Sequence, residues 1–136
     1  MSWNFSFSNR VQIREDAAGL CASATLSVAG AQIQVDGYLD VGAAYCVIPR
    51  DAGERLGLDV EAGEATNLRT GMGPIQGYLH YAVLTVGDLV FEDVPVFVAK
   101  YPGFDRCLLG RAGWLQRVRM NLVTYDNFLY LDLHGQ

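Results

Sequence analysis

The chain has 136 residues, 51% of them hydrophobic and 18% charged, which suits one domain with a buried core and excludes intrinsic disorder. Its net charge is −5 and its ten Lys and Arg are scattered, with a pI of about 4.8. A nucleic-acid partner needs clustered cations and is not expected. Every apolar run breaks off well short of the roughly 18 residues of a membrane span. Met1 to Arg10 carries no apolar signal core, so a cytoplasmic protein without a membrane partner is expected. Cys21, Cys46 and Cys107 are odd in number and far apart, which argues against a disulfide framework and against CxxC zinc spacing. Each is expected as a small buried thiol, with no metal and no cofactor.

In chain order, Leu20, Ala22, Ala24, Leu26 and Val28 alternate, and Ile33, Val35, Gly37 and Leu39 resume the alternation after Ala29-Gly30. Two alternating runs around a glycine turn predict a β-hairpin. Val47-Ile48 ends a short strand, and Pro49 opens a short helix to Leu56 with Gly57 as its stop. Ala65–Thr70 and Ile75–Val86 flank Gly71-Met72-Gly73-Pro74, a hairpin with a glycine-rich tip. Leu89–Ala99 alternates again, and Cys107-Leu108-Leu109 is a short apolar run. A short helix over Gly110–Gln116 and a last hairpin of Arg119–Asp126 with Phe128–Leu133 complete the pattern. Short strands with closely spaced turns predict an all-β barrel or sandwich with minor helices, a single domain over 1–136 with its core about 20–133.

One unit occurs twice. Tyr38-Leu39-Asp40-Val41-Gly42 and Cys107-Leu108-Leu109-Gly110 are each an apolar strand ending at a glycine and followed by a helix. The first carries an acid and the second does not, which suggests a pseudo-two-fold template. The segment Leu39-Asp40-Val41-Gly42-Ala43-Ala44-Tyr45-Cys46-Val47-Ile48-Pro49 resembles the active-site segment of retropepsin-like aspartic proteases. Leu108-Leu109-Gly110-Arg111 is similar to that family's second hallmark, and Thr70-Gly71-Met72-Gly73 stands where the family carries its flap.

Hydrolysing a peptide with carboxylates alone takes two acids that share a proton. One acts as base on a water and the other donates to the carbonyl oxygen. Close carboxylates cannot both ionise readily, so they titrate as a coupled pair. This chain offers one acid in the right setting, and a two-fold dimer would bring a second copy of it to the axis. The resemblance implies that arrangement: a homodimer acting on a peptide or protein substrate, with Asp40 catalytic. Gly42 and Ala43 would border the peptide, and the Gly71, Met72 and Gly73 tip would close over it. The peptide would bind extended, as an added strand.

The departure is Val41, where the family has Thr or Ser. Val keeps the shape but drops the hydroxyl, and a lost buried hydrogen bond is worth about 1 kcal/mol. Two readings follow: a slower peptidase, or a catalytically impaired dimer that serves as a peptide-binding or self-assembly module. Arg111 reads as a structural ion pair or helix-end contact, with Ala44 standing where retroviral members carry its acidic partner. Other enzyme classes fail on residues. The chain has no G-x-S-x-G elbow, no H-E-x-x-H pair and no phosphate loop. His80 and His134 lie far apart, and no histidine stands at a telling spacing from Cys46.

Overall fold

Period-two alternation becomes a sheet whose apolar positions face inward and whose polar ones face water. The structure is a computed structural model that describes residues 1–70 and 73–134. Its strands are β1 (Asn9–Asp16), β2 (Gly19–Val28), β3 (Ala31–Leu39), β4 (Cys46–Ile48), β5 (Glu64–Thr70), β6 (Gly73–Val86), β7 (Leu89–Ala99), β8 (Cys107–Leu109), β9 (Val118–Val123) and β10 (Phe128–Leu133). The one α-helix of the described residues is α1 (Arg50–Arg55). This is the all-β architecture with minor helices that the sequence predicts.

The strands run β5-β6-β7-β4-β8-β3-β2-β1-β10-β9, and β6 also pairs with β2. That extra pairing closes β6, β7, β4, β8, β3 and β2 into a ring, which removes most free edges. The ring interior holds Leu26, Leu84, Val86, Phe91, Val94 and Trp114, all at most 2% exposed. Leu26 pairs with Leu84 across the closing seam. Among the described residues no helix is long and apolar enough to cross a membrane.

The β2–β3 hairpin turns at Ala29 and Gly30, both with positive φ (49° and 88°), as a two-residue turn with the twist of its strands requires. The helix expected after Pro49 is α1, and Gly57, at φ +78°, lies just past its end. Three expectations are corrected. Gly110–Gln116 is not a helix; it forms turns and then a short 3-10 helix, Leu115–Arg117. Gly113 is left-handed there (φ +82°), and a Cβ on it would meet Pro95 Cδ at 2.8 Å. The last hairpin starts at Val118, and its first strand ends at Val123, because Thr124–Asp126 wind into a 3-10 turn capped by left-handed Asn127. β1 joins the sheet between β2 and β10, so the folded body begins before residue 20. Its apolar signal is thin: Ile13 is its one buried residue.

What matters for the site is the centre of the ring. β8 pairs parallel with β3, matching Gly37, Tyr38 and Leu39 to Cys107, Leu108 and Leu109. It also meets β4 through Val47 and Leu108. The two copies of the repeated unit are therefore neighbours, and their glycine turns leave the sheet together.

Candidate active site

Asp40 follows β3 directly. Its N–H donates to the Leu109 carbonyl at 3.0 Å, so the parallel ladder runs one residue past the strand and fixes the Asp40 backbone. The chain then turns: the Gly42 N–H donates to Asp40 Oδ1 at 2.9 Å, and the Ala43 N–H to the Asp40 carbonyl at 3.2 Å. A carboxylate that caps its own turn is a common device of Asp. Asp40 is half-buried and Gly42 exposed, whereas Ala43 is buried. Val41 points an apolar side chain outward, 73% exposed.

The second glycine turn braces the first. Arg111 N–H donates to the Ala43 carbonyl at 3.0 Å, and Ala112 N–H to the Ala44 carbonyl at 2.9 Å. Gly110 makes this approach feasible, because a Cβ there would lie 2.1 Å from the Tyr45 carbonyl oxygen. Gly37 serves the strands likewise; a Cβ on it would sit 2.6 Å from Leu109 Cγ. The Arg111 guanidinium then reaches back and donates to the Val41 carbonyl at 2.9 Å. Residue types alone left Arg111 as an ion pair or helix-end contact. Its acceptor is a backbone carbonyl, which no sequence pattern marks.

Beneath the turn lies a small apolar cluster of Val47, Leu68 and Phe97, with Ala44, Tyr45, Ile75 and Leu108 packed on it. Leu68 belongs to β5 and Ile75 to β6, so this cluster ties the β5–β6 hairpin to the Asp40 turn. Thr70 and Gly73 are the last pair of that hairpin, and the Thr70 hydroxyl donates to the Gly73 carbonyl at 2.8 Å. Gly73 is left-handed, φ +106°, with open space around it. Gly71 and Met72, expected at the tip, lie outside the described residues. Asp40, Gly42 and Ala43 thus share one turn, and Gly73 stands at the end of a separate hairpin.

Two cavities, of about 780 and 760 Å³, lie elsewhere on the chain, one beside Phe5, Phe7 and Tyr130 and the other between β3, α1 and the Pro102–Arg106 loop. Asp40 lines neither. Among the described residues no three of His, Cys, Asp and Glu gather closely enough to hold a metal ion. Burial pushes the thiols of Cys46 and Cys107 up to about 11, so both are protonated at neutral pH.

A carboxylic acid on a glycine turn, buttressed by a second glycine turn at the centre of a closed β-body, defines an acid-protease type of scaffold. Residues 24–112 match the family model described as aspartyl protease, and the chain belongs to that family. The fold is similar to the crystal structure of a retropepsin-like aspartic protease from Rickettsia conorii, with a TM-score of 0.64 over 92% of this chain and 99% of that one. Identity to it is 18%, so the likeness concerns the fold. No curated protein matches the sequence.

Proposed function

We propose that the protein is an aspartic endopeptidase that works as a homodimer, its dyad made of Asp40 and the same residue of a second copy. The observation that carries this reading is the asymmetry of the two turns. Both leave the sheet together, but only the first bears an acid; the other reads Leu109-Gly110-Arg111. A single chain therefore offers half of a two-carboxylate machine, and a two-fold axis supplies the rest. Val41 supports the same placement, since an apolar side chain 73% exposed next to the acid gains by being covered.

In the dimer the two carboxyls share a proton, one activating water and the other donating to the scissile carbonyl. Gly42, which has no side chain, lets an extended peptide come close to the turn. The β5–β6 hairpin closes over the peptide. Val41 also favours a second reading, a dimer that binds peptides without cutting them, because position 41 lacks a hydroxyl to lock the two turns together.

The test is digestion of a diverse peptide mixture from acidic to neutral pH, with new termini read by mass spectrometry and mass by sedimentation. Asp40→Asn and Val41→Thr run alongside. Cleavage by a dimeric parent, lost by roughly 10²–10⁴-fold in Asp40→Asn, is the expected result for an acid–base residue. Cleavage in Val41→Thr alone would assign the natural chain to peptide binding. A protein that stays monomeric throughout would sink both.

A further inference from the structure

We infer that Arg111 is a positioning residue for Asp40, acting through the peptide unit that joins Val41 to Gly42. That unit is rigid and planar, with its C=O and N–H on opposite sides. Its C=O end accepts from the Arg111 guanidinium at 2.9 Å. Its N–H end donates to Asp40 Oδ1 at 2.9 Å. The arginine and the carboxylate therefore grip opposite ends of one plate. Rotation of the plate, the easy motion of a glycine-containing turn, would break both bonds at once.

The grip is anchored. The Arg111 backbone is tied to the Ala43 carbonyl at 3.0 Å, and its own carbonyl accepts from Gln116 N–H at 3.0 Å. No carboxylate lies within ion-pair distance of Arg111 among the described residues, so its charge is directed at the Val41 carbonyl. A charged donor makes a stronger bond than a neutral one. Val41 has no side-chain donor or acceptor of its own to restrain the plate, which leaves the task to a side chain 70 residues away.

The catalytic consequence rests on the peptidase reading; the mechanical one does not. The experiment therefore has two arms on the full-length protein, comparing Arg111→Met, which keeps the stem, with Arg111→Lys, which keeps a charged donor. In the first arm, amide hydrogen exchange at Gly42 is expected to rise roughly fivefold in Arg111→Met, the effect of one lost hydrogen bond, and to return most of the way in Arg111→Lys. In the second, kcat on a cleaved peptide falls about tenfold in Arg111→Met through misplacement of the carboxyl, with KM and dimer mass unchanged. Parent-like exchange at Gly42 in Arg111→Met overturns the inference. So does a loss of activity that Lys fails to rescue and that tracks a fall in Tm. A parent that cuts no peptide overturns the peptidase reading instead, and Gly42 exchange alone then decides the role of Arg111.

Discussion

At the residue scale the site depends on two glycines that do different things. A Cβ on Gly110 would meet backbone, the Tyr45 carbonyl oxygen at 2.1 Å and the Ala43 carbonyl oxygen at 2.8 Å. The Ala43 carbonyl is already held by the Arg111 N–H at 3.0 Å, so this backbone cannot readily step aside. Gly110→Ala should therefore cost about 1–3 kcal/mol, the usual range for overpacking, read as a lower urea midpoint. A Cβ on Gly42 would meet only the Asp40 side chain, at 3.2 Å. Gly42→Ala should keep stability within about 0.5 kcal/mol, as other exposed positions do, while displacing the carboxyl. Equal losses in the two variants would refute this division of labour.

At the scale of elements, the stretch after β8 shows burial overriding local preference. Trp114 is 0% exposed, and the chain reaches that depth through the left-handed Gly113 and wide turns, with Leu115 N–H bonded to the Gly110 carbonyl at 3.2 Å. The Trp114 indole N–H is buried and meets no acceptor among the described residues. Removing the ring should leave a cavity, so Trp114→Ala should cost about 3–5 kcal/mol. Trp114→Phe keeps most of the volume and removes the unmatched donor, and its cost should stay under about 1.5 kcal/mol. Thermal and urea unfolding would separate the two; a Phe variant as unstable as the Ala variant would mean that the indole N–H has a partner.

For the whole molecule, a buried thiol and a half-buried one set a pH limit. Cys46 on β4 and Cys107 on β8 have thiols raised by burial from 9.0 to about 11. Between those values the folded chain keeps protons that the unfolded chain has released. Stability then falls as pH rises, by roughly 1.4 kcal/mol per pH unit for each thiol. Below pH 9 this contribution is fully present. Urea midpoints measured from pH 8 to 11 should decline, and Cys46→Ala should make the decline shallower. An unchanged slope in that variant would show that Cys46 does not titrate with unfolding.

Much of this protein is legible in its residues. Alternation through Leu20–Val28 and Leu89–Ala99 specifies strands because period two is a local property of the chain. The position of Asp40 between apolar neighbours and a glycine turn marks the candidate site for the same reason. Pairings are not local. That Leu39 lies beside Leu109, that β6 closes the ring on β2, and that the polar β1 is a strand all depend on partners far along the chain. The short helix expected at Gly110–Gln116 gave way because Trp114 had to reach the core. The acceptor of Arg111 was hidden for a related reason: a backbone carbonyl is the same at every residue, and only the fold brings that of Val41 within 2.9 Å of the guanidinium.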